Sequence, residues 1–484
     1  MKKALAILAC LVLLFAAGCT GTPDGSSSGG ASSAAAGELK YPVTLHADGK
    51  TDFEIAYAAK DPLGEKELAN TLANLFEAKA SAKPNVISDS RISGKTILVG
   101  RTAAEQSAAA LDKLTQAGGI GSDDYIIALI DGAVVINAAG PGGLQKAIDY
   151  FAENCVAAGK LEKDIISTSG VAAVKVGSAA DISAFTIAVD PVTSRSNIVK
   201  AANKLQTALL DKAGRYVAQS TTGDYTINIS FTADNATGKY TIDVQDKAID
   251  IKVASLMAAD AAVAKLADAV AAGKAIENGT ALSGDCTPKY TKYVAFAIDD
   301  GPNEFVTRFV DKFSEYGGRC SFMLIGEKIT DSSKGMLEYA VENGCQLGTH
   351  TDTHPYLSKL TEAEIRAELQ GPIDKVKKLI NYDITIARLP YFDRNETVLN
   401  VMKDMKLPSL GTVSYTEENP LDQVTLMDGD VICIHVKQSD LDLMGTLLPE
   451  LAANGYGFVT FDRLYELKGT SAPLGVQINN ASQR

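Results

Sequence analysis

The chain has 484 residues, which is too long for one ordinary hydrophobic core and predicts two or three domains. Its apolar content of 46% is that of a globular protein, and its net charge of −13 argues against nucleic acid as a partner. Because it contains no tryptophan, any stacking against a sugar ring must use tyrosine or phenylalanine.

The first residues have the pattern of an export signal. Two lysines precede an apolar run at 4–17 that is short for a membrane span and typical of a signal peptide. Small residues before Cys19 resemble a bacterial lipoprotein signal, with Cys19 as the lipidated first residue; an ordinary cleaved signal is the alternative. We expect a signal peptide at 1–19, a Gly/Ser/Ala linker at 20–38, and a protein lipid-anchored to the membrane at the bacterial cell surface or in the periplasm.

The following segments have the patterns of two copies of a small α/β unit. A strand–turn–helix pattern begins at Phe53 and again at Phe185, and each is followed by a strand–turn–strand–helix pattern. The spacing between these patterns is longer in the first copy, which indicates an insertion there. We predict accessory domains at 39–175 and 176–285, the second a repeat of the first, and neither contains a visible catalytic constellation.

From Lys292 the pattern changes to short, continuously apolar segments separated by helical patterns. This alternation predicts a parallel sheet or a barrel. One helical pattern begins with a capping box formed by Thr361 and Glu364. We place this domain at 290–468 and a tail at 469–484.

Reactive side chains follow four of these predicted strands. Asp299 and Asp300 follow the first strand, and His350, Arg388 and His435 each follow another. The carboxyl ends of barrel strands hold active sites, and burying charged residues there without a role would be costly. Each residue alone has an ordinary explanation, such as a helix N-cap or a core histidine, but the joint pattern favours a functional site.

His350 and His354 lie four residues apart in a chain that has only four histidines. Two imidazoles and one carboxylate make a set of three ligands that leaves positions open for water and substrate, as in catalytic zinc sites. The spacing lacks the glutamate of the H-E-x-x-H motif, so the base must come from elsewhere, and the Asp299–Asp300 pair can supply it. Asp352, between the histidines, is expected to hydrogen-bond within its loop.

Five short motifs between residues 293 and 467 point to one known family. They are Ala-Ile-Asp-Asp-Gly-Pro (297–302), His-Thr-Asp-Thr-His-Pro (350–355), Arg-Leu-Pro-Tyr (388–391), Ile-Cys-Ile-His (432–435) and Gly-Tyr-Gly-Phe-Val-Thr-Phe (455–461). Their order and spacing resemble those of polysaccharide deacetylases, the NodB homology domain of carbohydrate esterase family 4. The resemblance implies an α/β fold, a distorted (β/α) barrel of about seven strands, which here follows the two small α/β domains.

The resemblance also implies an activity, the metal-dependent removal of N- or O-acetyl groups from a polysaccharide. Three residues would bind a divalent metal, zinc or another first-row ion such as cobalt: Asp300, His350 and His354. Four residues would act in catalysis: Asp299 as the base, His435 as the acid that protonates the leaving amine, Arg388 as the residue that orients Asp299, and Tyr391 through its backbone N–H to the oxyanion.

Some positions depart from the family pattern. The family's fourth motif, an Asp-Trp pair whose aspartate tunes the catalytic histidine, has no clear counterpart here. Residues 411–424 offer Glu417, Glu418 or Asp422 and no tryptophan. Cys433 replaces the usual leucine near the catalytic acid. The partner of His435 therefore stays unassigned at the level of sequence.

Two functions fit these observations. The first is a deacetylase acting on a cell-surface polysaccharide, with N-acetylglucosamine of peptidoglycan as the expected substrate, because a lipid-anchored protein faces the cell wall. The second is a catalytically decayed glycan-binding or cell-wall scaffold lipoprotein, which the missing fourth motif favours. Loss of activity with a chelator would distinguish the enzyme from the binding protein.

Overall fold

The computed structural model describes most of the chain after the predicted linker, at residues 39–59, 63–413, 420–421 and 424–482. The predicted signal peptide and linker, with Cys19, lie outside the described residues, as do Glu417, Glu418 and Asp422. Among the described residues, no helix combines the length and the hydropathy that crossing a bilayer requires.

The first α/β domain is a sheet with helices packed on it. Its strands are β1 (Val43–Thr44), β2 (Phe53–Tyr57), β3 (Asn85–Ser88), β4 (Lys95–Val99), β5 (Tyr125–Ile130), β6 (Ala133–Ala138), β7 (Lys160–Leu161) and β8 (Ile165–Ser167). Its helices are α1 (Glu65–Ala80), α2 (Glu105–Gln116) and α3 (Pro141–Tyr150), the last continued by a π-helical segment at Phe151–Val156. The main sheet has the strand order β3-β2-β4-β6-β5-β8.

The second α/β domain has the same arrangement. Its strands are β9 (Thr186–Ile187), β10 (Ala218–Gln219), β11 (Thr226–Phe231), β12 (Lys239–Val244), β13 (Ala248–Val253) and β14 (Ala281–Asp285), and its helices are α4 (Ser196–Ala213) and α5 (Leu256–Ala271). The order β10-β9-β11-β13-β12-β14 matches that of the first sheet strand for strand, with the same parallel and antiparallel pairs. Helix α2 has no counterpart among the described residues of this domain, which accounts for the longer spacing in the first copy.

The third region contains the strands that end in reactive side chains. Its strands are β15 (Lys292–Gly301), β16 (Ser321–Leu324), β17 (Gln346–Thr349), β18 (Ser409–Leu410), β19 (Val431–His435), β20 (Tyr456–Val459) and β21 (Gln477–Ile478). Its helices are α6 (Phe305–Ser314), α7 (Lys334–Glu342), α8 (Glu362–Ile380), α9 (Glu396–Asp404), α10 (Gln438–Ala453) and α11 (Phe461–Lys468). Helix α8 begins with the predicted capping box of Thr361 and Glu364.

The pairing of these segments closes into a ring. Strands β15, β16 and β17 are parallel neighbours, and Ala387 bridges β17 to β18. Strand β18 pairs with β21, and Val431 N–H at the start of β19 donates to Asn479 O just after β21, while β19 returns to β15. The predicted fold class, a distorted (β/α) barrel preceded by two small α/β domains, is confirmed.

The C-terminal segment differs from its prediction. Residues 469–484 were expected to form a tail, but the described part of this segment supplies β21 to the ring. Ile478 is fully buried there, packed with Leu410 and Phe461 in the barrel interior. A strand of two residues leaves no periodic pattern in the sequence, so its pairing can be recognised only in three dimensions.

Candidate active site

The alternation of side chains along β15 explains where Asp299 points. Val294, Phe296 and Ile298 pack in the layer between the strands and the outer helices. Ala295 and Ala297 pack in the barrel interior, so Asp299, two residues further, faces the same interior at the carboxyl end of the strand. A continuous apolar strand of a barrel therefore delivers a buried carboxylate to the end where active sites form.

The same rule applies to the neighbouring strand β19. Ile432 and Ile434 pack outward, whereas Val431 packs in the barrel interior, which places Cys433 and His435 on the interior side. Asp299 and His435 are direct partners in the register of β15 and β19. Two residues that are 136 positions apart by number are therefore neighbours at one end of the barrel.

Arg388 lies against Asp299. Its Nε is 2.5 Å from Asp299 Oδ2, and both side chains are almost fully buried. The Nε–H has no well-aligned acceptor among the described residues, so this contact is an ion pair rather than a directed hydrogen bond. Arg388 Nη1 donates to Gly411 O at 2.8 Å, and its Cζ lies 4.4 Å from the centre of the Phe392 ring, which fixes the guanidinium.

Asp300, His350 and His354 converge beside this pair. The two histidine Nε2 atoms are 3.2 Å apart, and Asp300 Oδ1 is 3.6 Å from the first and 3.5 Å from the second. In a tetrahedral site with metal–ligand bonds of about 2.0–2.1 Å, ligand atoms lie about 3.4 Å apart. The separations and the chemical types of these three groups therefore fit a divalent metal such as zinc.

The protonation of His350 suits a metal ligand. Its Nδ1 lies 2.7 Å from the backbone oxygen of Arg388, which can only accept, so the ring proton sits on Nδ1 and the Nε2 lone pair faces the cluster. Burial lowers the pKa of His350 below its usual value, which favours the neutral imidazole that metals bind. His354 directs its Nε2 to the same point.

Strained backbone accompanies the cluster. Asp300, Thr351 and His354 have φ angles of 66°, 67° and 62°, and Tyr391 and Phe392 have φ angles of 57° and 54°. Non-glycine residues in this left-handed region cost on the order of 1 kcal/mol or more each. Such strain is typical of functional sites, where the surrounding structure holds side chains in a required position.

His435 has an acidic partner that sequence reasoning missed. Asp440 Oδ2 accepts from the backbone N–H of His435 at 2.7 Å and lies 3.5 Å from its Nδ1. The hydrogen bond with Asp440 raises the pKa of His435 above its usual value, against the opposing effect of partial burial. Burial alone would raise the pKa of Asp440, but its hydrogen bonds with His435 lower it.

Three further residues discussed from the sequence lie near these groups, and two of them, Tyr391 and Cys433, contact the site. Tyr391 lies in a short 3₁₀ turn beside the cluster, with its hydroxyl 3.2 Å from His354 Nδ1. Asp352 points away from the cluster, to Lys375 Nζ of α8 at 2.6 Å, so its side chain links the loop to that helix instead of bonding within the loop as expected. Cys433 Sγ is 3.4 Å from Asp299 Oδ2, and burial raises the pKa of this thiol well above its usual range.

An open cavity of about 710 Å³ brings these residues together. It is lined by Asp299, Asp300, His350, His354, Arg388, Leu389, Tyr391, Phe392, Thr412, Val413, Cys433, His435, Gln477 and Asn479. Every residue predicted for catalysis or metal binding is in this set. Gln477 and Asn479 were missed, because they come from the segment that was expected to be a tail.

The geometry of this site agrees with the similarity of part of the chain to known proteins. Residues 287–410 match the family model described as polysaccharide deacetylase. The resemblance predicted from the motifs is therefore confirmed for this region of the chain. His435, Asp440 and the residues of β21 lie beyond the matched range, so their roles rest on the geometry described above.

Several polysaccharide deacetylases are similar to part of this chain. A bifunctional xylanase/deacetylase of Pseudobutyrivibrio xylanivorans is 26% identical over 262 residues, which cover 52% of this chain and 42% of that protein. The peptidoglycan-N-acetylmuramic acid deacetylase PdaC of Bacillus subtilis (strain 168) is 28% identical over 185 residues, which cover 37% of this chain and 39% of that protein. The chain thus spans about two fifths of the length of these curated relatives.

One similar solved structure is that of a family 4 acetyl xylan esterase from Clostridium thermocellum in complex with a cobalt ion. It is 25% identical, with 39% of this chain and 98% of that chain covered, and the TM-score is 0.36.

Proposed function

We propose that this protein is a metal-dependent deacetylase that hydrolyses acetyl groups of a cell-surface polysaccharide. N-acetylglucosamine of peptidoglycan is the first substrate to test, and lipidated Cys19 would hold the enzyme at the membrane facing the wall. The observation that carries the proposal is the convergence of Asp300, His350 and His354 beside the buried Asp299–Arg388 pair. The names of the similar xylanase/deacetylase and peptidoglycan deacetylase support the same reaction class.

Asp300, His350 and His354 are proposed to hold one divalent cation, zinc first and cobalt or another first-row ion as alternatives. When bound, such a cation polarises an acetyl carbonyl and lowers the pKa of a water molecule, each worth several kcal/mol of barrier. The chain's own contribution is to aim both imidazole Nε2 atoms at one point. The carbonyl oxygen of Arg388 does this for His350.

Asp299 is proposed as the base that takes a proton from the attacking water. Its Oδ1 is buried and has no hydrogen-bond partner among the described residues, so that oxygen is available to accept a proton. Its Oδ2 contacts Arg388, which holds the carboxylate in place. Oδ1 would therefore accept the proton, and Oδ2 would hold the carboxylate in its orientation.

His435 is proposed as the acid that protonates the leaving nitrogen. Because its raised pKa keeps more of the imidazole protonated near neutral pH, it has a proton to give when the bond to the acetyl carbon breaks. The backbone N–H of Tyr391 is proposed to donate to the oxyanion that forms on the acetyl oxygen, an interaction worth roughly 3 kcal/mol.

The contact between His435 and Asp440 also bears on the alternative function. A decayed glycan-binding or scaffold protein was favoured by the missing partner of the catalytic histidine. Asp440 supplies a carboxylate at that position, from a different segment than the family's fourth motif. This supports a working hydrolase over a binding protein.

The direct test is acetate release by the full chain from peptidoglycan, chitin oligomers and acetylated xylan. We expect activity that a chelator removes and that zinc or cobalt restores. Asp299→Asn should lower kcat by about 10²- to 10⁴-fold and leave zinc binding intact, because it removes the base and not a ligand. Asp374→Asn, on the exposed face of α8, is the matched control and should behave as wild type.

Two results would contradict the proposal. One is the absence of acetate release from every glycan tested in the presence of metal. The other is an Asp299→Asn variant as active as the wild type, which would remove Asp299 from the mechanism.

A further inference from the structure

We propose that the phenol of Tyr391, stacked on Tyr356, is the hydrogen-bond partner that fixes His354 in its metal-binding tautomer. The inference rests on the proposed metal site. It assigns to the Tyr391 side chain a positioning role that is separate from any role of its backbone N–H. It also gives a function to Tyr356, which lies outside the predicted catalytic set.

The two histidines of the cluster are supported differently. His350 is nearly fully buried, and its Nδ1 faces the backbone oxygen of Arg388, so its tautomer is set by the fold. His354 is partly exposed, and its Nδ1 faces the Tyr391 hydroxyl at 3.2 Å. A metal-binding imidazole must carry its proton on the other nitrogen, so the Tyr391 oxygen is where the Nδ1–H of His354 would donate.

A phenol differs from a carbonyl because it can both donate and accept. Without a cation, the Nε2 atoms of His350 and His354, only 3.2 Å apart, would share one proton, and Tyr391 would donate to His354 Nδ1. With a cation, both Nε2 atoms would serve as ligands, and His354 would carry its proton on Nδ1, with Tyr391 as acceptor. The Tyr391 hydroxyl can therefore hydrogen-bond to His354 Nδ1 both with and without a bound cation.

A continuous stack holds the Tyr391 ring in place. The Tyr356 and Tyr391 rings are nearly parallel, at 15°, with centroids 4.2 Å apart, and the Tyr391 and His354 rings meet edge to face at 4.8 Å. Lys359 Nζ lies 4.5 Å from the centre of the Tyr356 ring. Tyr356 and Tyr391 are 46% and 55% exposed, so they are held by this mutual stacking rather than by burial in a core.

The test is the zinc affinity of the purified full chain, measured by competition with a chromophoric chelator. Tyr391→Phe keeps the ring and its stacking but removes the oxygen, so we expect zinc to bind about 10- to 100-fold more weakly. Tyr356→Ala should produce a smaller loss in the same direction. The melting temperature of the metal-free protein should not change in Tyr391→Phe, because the side chain is largely exposed.

Tyr150→Phe is the matched control, since Tyr150 is a similarly exposed tyrosine in the first α/β domain, remote in sequence from the cluster, and should bind zinc as the wild type does. Equal zinc affinity of wild type and Tyr391→Phe would overturn the inference and leave the proposed deacetylase intact. Failure of the wild type to bind zinc or cobalt would overturn both. Weakened binding in Tyr391→Phe with unchanged binding in Tyr150→Phe would support it.

Discussion

His435 and Asp440 meet where β19 passes into α10. His435 ends the strand, and Asp440 lies in the first turn of the helix, where it accepts from the His435 backbone N–H at 2.7 Å. The acidic group at the helix N-terminus is also favourable for the helix itself. The Asp440 carboxylate therefore stabilises the N-terminus of α10 and also raises the pKa of His435, the proposed acid.

This pair leads to a pH prediction. The pKa of His435 is raised chiefly by Asp440, so the protonated acid persists to higher pH than for an ordinary histidine. Asp440→Asn removes that negative charge, and the alkaline limb of the kcat/KM profile should move to lower pH. Asp442→Asn, two residues along the same helix, is the control and should leave the limb in place.

If the alkaline limb of the kcat/KM profile stays at the same pH in Asp440→Asn, a group other than His435 sets the alkaline fall in activity. The measurement is acetate release across the pH range with saturating metal. The comparison uses the position of the limb, which a general loss of folded protein would not move.

At the residue level, the charged strand ends could be predicted because such residues rarely follow buried strands without a function. Asp299, His350 and Arg388 were found in this way, and they do line one cavity. Asp440 could not be found, because an aspartate in the first turn of a helix is ordinary and carries no distinguishing signal. Asp440 comes near the cluster because it contacts His435, which the register of β15 and β19 sets beside Asp299.

Among the elements, β21 contributes to both the cavity wall and the barrel interior, although it has only two residues. It inserts Ile478 into the barrel interior and places Gln477 and Asn479 along the cavity wall. Asn479 also accepts from the backbone N–H of Thr412 at 3.2 Å through its Oδ1. The strand thus joins the wall of the cavity to the barrel core.

We expect Ile478→Ala to lower the free energy of unfolding by about 2–4 kcal/mol, because it leaves a cavity at a fully buried position. Val476→Ala, two residues earlier and 40% exposed, is the control and should cost less than about 0.5 kcal/mol. Chemical denaturation followed by circular dichroism gives both values. Equal, small effects of the two variants would argue against β21 as part of the barrel.

Longer elements were predictable where the pattern was long enough to show a period. Helix α8 spans Glu362–Ile380 and begins at the predicted capping box, and strands β12 and β13 of the second sheet alternate between buried and more exposed side chains. Strands β10, β18 and β21 have only two residues each, too few for any periodicity to appear. Their position is set by pairing with partners that are distant in the chain.

At the scale of the whole molecule, the second α/β domain is joined to the barrel through a buried acid. Asp311 of α6 is 2% exposed and accepts from Ser196 Oγ at 2.7 Å, from the Tyr339 hydroxyl, and from Lys200 Nζ at 2.7 Å. Ser196 and Lys200 belong to the first turns of α4. A negative charge at that helix N-terminus is favourable, so the contact links the two domains.

Asp311→Ala should lower the free energy of unfolding by about 2–4 kcal/mol, since it leaves the buried Tyr339 hydroxyl without its acceptor and removes the ion pair with Lys200. We also expect unfolding to become less cooperative, with the second domain melting before the barrel. Asp260→Ala, which removes an exposed ion pair between α5 and Lys204 of α4, should cost at most about 1 kcal/mol. Denaturant unfolding monitored at several wavelengths would detect both changes, and a fully cooperative transition in Asp311→Ala would contradict the domain linkage.

The ring closed by β21 has a consequence for how the protein is made. Synthesis delivers every other strand of the barrel before residues 477–478, and Asn479 reaches the cavity wall only after them. A nascent chain that has not yet reached residue 477 therefore has an open cleft, with Thr412 lacking its bond to Asn479. Completion of the candidate catalytic cleft therefore waits for residues 477–479, so a chain terminated before them would retain the proposed ligands of the cation without a finished wall to receive a glycan.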